Sequence, residues 1–146
     1  MHMIRELVRD EAILSTPCEK ATADDAQLAE DLVDTLKSLD DAVCLAANQI
    51  GETKQVAAII LGDTDADDPE ILVLFNPVMK RALYPVKIEE ECLTLDEPHK
   101  VTRFGKVTVA YEQLVDGKLV ARKTEFAIDP AQAVQHVIDH CKGKLV

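Results

Sequence analysis

The chain has 146 residues and a net charge of −11, with two Tyr, three Phe and no Trp among mainly aliphatic apolar residues. This length predicts one domain, residues 1–146, large enough to bury a core of its own. The acidic balance argues against a surface for nucleic acid or anionic lipid, since both need clusters of Lys and Arg, and without a run of about 18 apolar residues no membrane span is expected.

The beginning of the chain predicts an extended segment from Ile4 to Cys18. The first few residues contain no apolar signal core, so we expect the protein to be cytoplasmic. The cysteines show no framework spacing, and in a reducing compartment they are expected to be thiols or metal ligands: Cys18, Cys44, Cys92 and Cys141.

An amphipathic helix is predicted from about Asp24 to Asp40. Leucines recur there every four residues, and acidic residues crowd the start, where the helix dipole favours them. A turn is then expected over Ala42–Gly51. The stretch Gln55–Leu61 is almost wholly apolar and predicts a buried strand.

Further extended segments follow. Ile71–Phe75 and Val78–Leu83 are predicted strands separated by an Asn-Pro pair. Alternating residues in Val107–Tyr111 and Leu119–Lys123 flank an Asp-Gly pair. Asp-Gly between two alternating segments is a strong short-range signal for a β-hairpin, so these strands should pair antiparallel.

The C-terminal stretch from Asp129 to Leu145 predicts a helix. Asp129 is a favoured N-cap residue, Pro130 suits the first helical position, and Gly143 is a favoured stop. Together with the strands before it, this helix makes the predicted fold α+β, with mostly antiparallel strands around a C-terminal helix.

This helix places His136 and His140 four residues apart, so both imidazoles lie on one face and can bind one metal ion. The alternative is two polar residues that face solvent or a neighbouring strand. Cys92 is the candidate third ligand, and three protein ligands leave one position open, as in catalytic sites. In the H-E-x-x-H motif of metallohydrolases, a glutamate handles protons for the attacking water. Here that position is Val137.

Three stretches with these residues resemble, in order and spacing, the motifs of the peptide deformylases, which run G-x-G-L-A-A-x-Q, E-G-C-L-S and Q-H-E-x-D-H. In this chain they read L-A-A-N-Q-I-G at Leu45–Gly51, E-E-C-L-T at Glu90–Thr94 and Q-H-V-I-D-H at Gln135–His140. The resemblance covers nearly the whole chain. It implies the deformylase fold and hydrolysis of the formyl group from N-formylmethionyl peptides.

The resemblance also implies roles for individual residues. One divalent metal would be bound by Cys92, His136 and His140. In the family this ion is Fe²⁺, with Zn²⁺, Ni²⁺ or Co²⁺ as substitutes, whereas ligand softness and geometry alone favour zinc. Gln49 through its side-chain amide and Leu93 through its backbone N–H would donate to the formyl oxygen. We expect a monomer that binds a formylated peptide N-terminus or a related small N-acyl ligand.

Departures from the family pattern fall on one cleft. Its two glycines in the first motif are Ala42 and Cys44 here, its glycine before the metal-binding cysteine is Glu91, and its glutamate is Val137. Side chains in place of glycines would narrow the substrate groove. Loss of a general acid or base typically costs about 10²–10⁴-fold in rate.

We therefore favour a degenerate relative that keeps the fold and the metal but deformylates weakly or not at all, and that binds or hydrolyses another small N-acyl ligand or acts in regulation. One alternative is a working deformylase in which Glu91 or Glu90 is the base. A third is a metal or redox sensor in which Cys44 and Cys92 face each other.

Two roles are left open by the residues alone. Asp139 either orients a metal ligand or is a surface carboxylate on the helix. Cys44 could close the site as a Cys₂His₂ tetrahedron or form a disulfide with Cys92. We favour the simpler interpretation, in which Cys44 is a small buried hydrophobic residue in space that a substrate would use.

Overall fold

The computed structural model describes residues 4–39, 42–62, 69–90, 92 and 98–144. The elements follow in the order α1 Glu11–Leu14, α2 Ala26–Ser38, β1 Cys44–Ala46, β2 Val56–Leu61, β3 Glu70–Glu90, β4 His99–Val115, β5 Lys118–Ala127 and α3 Asp129–Cys141. The strands form one sheet in sequence order, and each neighbouring pair is antiparallel. The predicted α+β class is confirmed. Within the described part of the chain, none of the helices has the length and apolar character needed to cross a membrane.

Core residues lie on both faces of the sheet, and β2 is buried on both sides. Its side chains alternate, so Val56, Ala58 and Ile60 pack in the cluster on the α2 face, while Ala57 and Ile59 pack in the cluster on the α3 face. The almost wholly apolar strand predicted from sequence is therefore present. Helix α2 packs on one of its apolar faces and α3 on the other.

A capping box precedes helix α2. Thr22 accepts from the backbone N–H of Asp24 at 3.2 Å, and Asp25 accepts from that of Thr22 at 2.9 Å, which starts a short 3₁₀ turn before the helix. Leu32 and Leu36 are fully buried beneath the helix. The predicted amphipathic helix is confirmed to within two residues at each end.

The N-terminal segment was predicted to be extended, and this is wrong over Glu11–Leu14, which form α1. Asp10 caps this turn by accepting from the backbone N–H of Ala12 at 2.9 Å. Leu14 anchors it in the core with 1% of its surface exposed. One helical turn is too short to show a periodicity in the sequence.

The turn predicted over Ala42–Gly51 is correct only in part. Its first half is the three-residue strand β1, which pairs with β2 so that Cys44 lies opposite Ile59. Its second half is a 3₁₀ turn, Ala47–Ile50, that ends at Gly51 with φ of +93°. Strand β1 is thus the edge of the sheet, and the 3₁₀ turn follows it directly.

The two strands predicted around the Asn-Pro pair are one strand, β3, with a bulge at that pair. Phe75 pairs with Glu112 and Val78 with Ala110, so β3 carries one extra residue. Asn76 has φ of +52° and uses its side-chain amide to bind both backbone groups of Ala21, at 2.8 and 3.0 Å. The predicted hairpin is confirmed, with positive φ at both turn residues, as its turn type requires.

Helix α3 is held to the sheet by Gln135. Its side-chain oxygen accepts from the N–H of Phe104 at 2.8 Å, and its amide nitrogen donates to the carbonyl of Phe104 at 2.7 Å. Strand β5 ends at Ala127, opposite Lys106, so Phe104 no longer has a β5 partner. Gln135 therefore completes the hydrogen bonds of β4 and fixes the position of α3 along the strand.

The ends of α3 agree partly with the sequence. Asp129 is the first helical residue and not the N-cap, which is Ile128 with φ of +63°. The helix ends at Cys141, and Gly143 follows with φ of +77° and an N–H that donates to the carbonyl of His140 at 3.0 Å. The predicted glycine stop is confirmed.

We predict that Gly143→Ala destabilises the protein more than Gly117→Ala. Both glycines have positive φ, so alanine costs about 1–2 kcal/mol at either position. A Cβ at Gly143 would also lie 2.7 Å from backbone atoms of Ser15 and Pro17, whereas nothing lies within 4 Å of one at Gly117. Urea unfolding followed by circular dichroism measures the difference, and equal losses would contradict the close packing of this turn.

Candidate functional site

Three potential metal-binding atoms meet beneath the sheet: the sulfur of Cys92 and the Nε2 atoms of His136 and His140. The two Nε2 atoms are 3.1 Å apart, and the sulfur lies 3.4 Å from that of His140. All three residues are buried, and their ligand atoms lie within 4.8 Å of one another. The predicted convergence of these side chains is therefore present in the structure.

The spacing of these atoms fits a metal ion. With a metal–nitrogen distance of about 2.0–2.1 Å and a metal–sulfur distance of about 2.3 Å, tetrahedral ligands lie about 3.3 Å apart for two nitrogens and about 3.6 Å for nitrogen and sulfur. The separations of 3.1 Å between the two Nε2 atoms and 3.4 Å between the sulfur and Nε2 of His140 are close to these values. One thiolate and two imidazoles are donors that suit zinc or ferrous iron.

The ring of His136 is oriented by Glu90 at the end of β3. A carboxylate oxygen of Glu90 accepts from Nδ1 of His136 at 2.9 Å, which leaves Nε2 on the side of Cys92. Burial by itself would raise the pKa of Glu90, but hydrogen bonds from His136 and Arg103 outweigh it and lower this pKa to about 2. Glu90 is therefore an ionised, buried carboxylate that contacts Nδ1 of His136.

Arg103 holds this carboxylate in place from β4. Its guanidinium donates to both oxygens of Glu90, at 2.6 and 2.7 Å, and to Asp139 of α3 at 2.7 Å. Arg103 is 5% exposed. One buried cation thus joins two strands and the helix, and Asp139 belongs to this network through its bond with Arg103.

Arg103 and this role of Glu90 were not found from the sequence, although a signal existed. Arg103 has the same parity in β4 as the core residues Val107, Val109 and Tyr111. An arginine on the inward face of a strand must be paired, because an unpaired buried charge is very costly. A carboxylate partner on a neighbouring strand could therefore have been predicted.

The same neighbours determine the pKa of His136. Burial alone would lower its pKa, but hydrogen bonds with Cys92 and Glu90 outweigh this and raise the pKa to about 9. A negative environment thus surrounds the three ligand atoms. A divalent cation would take the place of this proton.

Gln49 lies in the 3₁₀ turn after β1 and faces the cluster. Its side-chain oxygen accepts from the backbone N–H of Ala46 at 2.9 Å, which turns the amide nitrogen toward the sulfur of Cys92 at 3.6 Å. The amide is thus oriented by the backbone, beside the ligand atoms. Two further site residues predicted from sequence, Glu91 and Leu93, lie outside the described residues.

Val137 directly follows His136 in α3 and is fully buried. It belongs to the apolar cluster on the α3 face, together with Val134 and Ile138. An aliphatic side chain is thus accommodated by apolar contacts at the place where the H-E-x-x-H motif has its carboxylate.

Cys44 is half-buried on β1 and packs against the same apolar cluster. Burial raises the pKa of its thiol to about 12, with smaller contributions from Cys92 and Glu90. Among the described residues, the ligand atoms that lie within 4.8 Å of one another come from Cys92 and the two histidines and not from Cys44, and none of the four cysteines forms a disulfide. This arrangement favours the interpretation of Cys44 as a small apolar residue.

Comparison with known proteins gives a consistent result. A family profile for polypeptide deformylase matches residues 4–146. The peptide deformylase of Clostridium beijerinckii is 33% identical over 145 residues, which cover 99% of this chain and 100% of that protein. Peptide deformylase 3 of Shewanella oneidensis is 38% identical over 117 residues, 80% of this chain and 68% of that protein.

Solved structures of deformylases share this fold. The Met-Ala-Ser-bound class I type b peptide deformylase from Acinetobacter baumannii has a TM-score of 0.83 and 27% identity, covering 98% of this chain and 97% of the other. A peptide deformylase from Legionella pneumophila has a TM-score of 0.82 and 28% identity, covering 98% and 83% of the two chains. Each match thus covers nearly the whole of this chain.

We predict that Arg103→Met lowers the free energy of unfolding by about 3–5 kcal/mol, because it leaves the buried carboxylate of Glu90 without its cation. The matched control is Arg122→Met, which removes an exposed arginine that donates to Gln113 on the hairpin. It should cost no more than about 0.5 kcal/mol. Both are measured on metal-free protein by urea unfolding, and similar losses would show that the Arg103 network does not secure Glu90.

Proposed function

Since the chain belongs to the peptide deformylase family, we propose that it is a metal-binding deformylase-like protein whose activity on N-formylmethionyl peptides is weak or absent. The observation that carries this proposal is Val137, a fully buried aliphatic residue that directly follows His136 at the position of the motif's glutamate. The ligand is a formylated peptide N-terminus or a related small N-acyl group. That class is supported by the Met-Ala-Ser-bound relative.

The proposed metal ligands are Cys92, His136 and His140, and the ion is Fe²⁺, with Zn²⁺ or Ni²⁺ as alternatives. When bound, a divalent ion would act as a Lewis acid that polarises the formyl carbonyl and activates the attacking water. The close spacing of the ligand atoms and the carboxylate behind His136 support this assignment.

Gln49 is proposed to stabilise the developing negative charge on the formyl oxygen. Its amide nitrogen is oriented by the bond between Ala46 and the side-chain oxygen, so the donor is in place before any ligand arrives. The family pattern adds the backbone N–H of Leu93 as a second donor. These two groups would hold the carbonyl group beside the metal ligands.

Proton transfer is the step that this site lacks. A general base takes a proton from the attacking water, and a general acid returns one to the departing amine. Val137 can do neither. Glu90 is a poor substitute, because both its oxygens bind Arg103, one also binds His136 on the side away from Nε2, and its pKa is about 2.

A working deformylase that uses Glu91 as its base remains the alternative. The proposed groove adds a further obstacle to a peptide, because Cys44 and Glu91 stand where the family has glycines. Side chains along an edge strand limit how closely an extended peptide can approach β1.

We also propose that residues 1–146 act as one cytoplasmic domain and as a monomer.

We predict that the protein binds one divalent ion per chain after anaerobic loading with Fe²⁺ or Zn²⁺, as measured by mass spectrometry of the metal content. Cys92→Ser, His136→Ala and His140→Ala should each lose most of it, because two remaining ligands bind weakly. Cys44→Ser is the matched cysteine control and should retain a full equivalent. Loss of metal in Cys44→Ser would instead identify Cys44 as a fourth ligand and the site as closed.

We predict that Val137→Glu increases the rate on formyl-Met-Ala-Ser by about 10²-fold or more in the iron-loaded protein, since it restores the proton carrier. Val137→Gln is the matched control, because it has nearly the same size and polarity but cannot carry a proton. It should show no gain.

Two results would contradict this proposal in different ways. Full activity of the unmodified protein that Glu91→Gln abolishes would establish the working enzyme. An inactive Val137→Glu variant that still binds a full equivalent of metal would show that the groove excludes the peptide.

A further inference from the structure

The two histidines of the proposed metal site differ in what supports their second ring nitrogen. Nδ1 of His136 donates to Glu90 at 2.9 Å. Nδ1 of His140 is also buried, yet it has no hydrogen-bond partner among the described residues. A histidine that binds a metal through Nε2 almost always donates its other N–H to an acceptor, which fixes the ring and the tautomer. His140 therefore needs an acceptor close by.

Asn48 is a buried side chain with an acceptor to spare. It is fully buried in the 3₁₀ turn after β1, and its amide nitrogen donates to the backbone carbonyl of His140 at 3.0 Å. Its side-chain oxygen is buried without a partner among the residues that the structure describes. The amide cannot be reversed, because its oxygen would then face the carbonyl oxygen of His140.

We propose that Asn48 is a positioning residue for His140, whose Nδ1–H donates to the side-chain oxygen of Asn48 through one buried water. Two unpaired buried groups of opposite type, on residues already joined by a hydrogen bond, provide the polar partners that a buried water requires. Asn48 would thereby hold both the backbone and the ring of this ligand. The inference rests on the proposed metal site.

This assignment gives each histidine a support from a different element: Glu90 at the end of β3 for His136, and Asn48 in the 3₁₀ turn for His140. Asn48 directly precedes Gln49, the proposed donor to the formyl oxygen. One turn of the chain would therefore set the position of a metal ligand and of the oxyanion donor together.

The test uses Asn48→Leu, which has a similar size but no polar atoms, in the Zn²⁺-loaded full chain. Zn²⁺ affinity, measured by competition with a chelator, should fall about 10–100-fold. Nitrogen-15 NMR of the unmodified protein should show His140 protonated at Nδ1, with a slowly exchanging proton. In Asn48→Leu that proton should exchange rapidly. Asn48→Asp keeps an acceptor and should preserve the slow exchange even if its metal affinity falls.

Asn76→Ala is the matched control, because it removes another buried asparagine that joins distant segments but does not touch His140. It should lower the stability and leave Zn²⁺ affinity unchanged. An Asn48→Leu variant with Zn²⁺ affinity within twofold of the original and the same protected Nδ1–H would overturn the inference alone. Rapid exchange of Nδ1–H in the unmodified Zn²⁺ protein would also overturn it, whether or not the variants fold. Failure of the unmodified protein to bind Zn²⁺ would overturn it together with the proposed function.

Discussion

The charge of Arg103 lies in the interior of this protein, and the site depends on how that charge is balanced. A buried guanidinium is tolerated when carboxylates accept its hydrogen bonds, and here they come from Glu90 on β3 and Asp139 on α3. The strand and the helix are therefore fixed relative to each other at this point. Because Glu90 also accepts from Nδ1 of His136, the same pairing orients that ring with its Nε2 atom 3.1 Å from Nε2 of His140.

The hydrogen bonds that orient the two histidines do not involve position 137, where the H-E-x-x-H motif has its glutamate. Glu90 accepts from His136, Arg103 donates to Asp139, and Gln135 donates to Phe104, so these hydrogen bonds position α3 and its histidines without the side chain of Val137. Val137 adds apolar contacts to a cluster that is already buried, where a carboxylate would need polar partners. A valine at this position is therefore compatible with the observed arrangement of Cys92, His136 and His140.

Those parts of the fold that have a local cause were predictable. The repeat of leucines predicted α2, and the apolar run predicted β2. The Asp-Gly pair predicted the hairpin and Gly143 predicted the end of α3, because glycine adopts the positive φ that both places require. The short elements α1 and β1 were not predicted, and β3 was predicted as two strands. A single helical turn or a three-residue edge strand has too few residues for a period, and it exists because neighbouring segments pack and pair with it.

The sequence by itself determined which side chains share a helical face, since the four-residue spacing of His136 and His140 is a local property of the backbone. It also determined that Val137, the residue directly after His136, has no proton to transfer. Only the tertiary structure decided how these rings are oriented, through contacts such as Asn48 with His140, 92 residues apart, and Arg103 with Asp139, 36 residues apart. A hydrogen bond depends on separation in space, and segments this distant along the chain are brought together only by the packing of the sheet against α3.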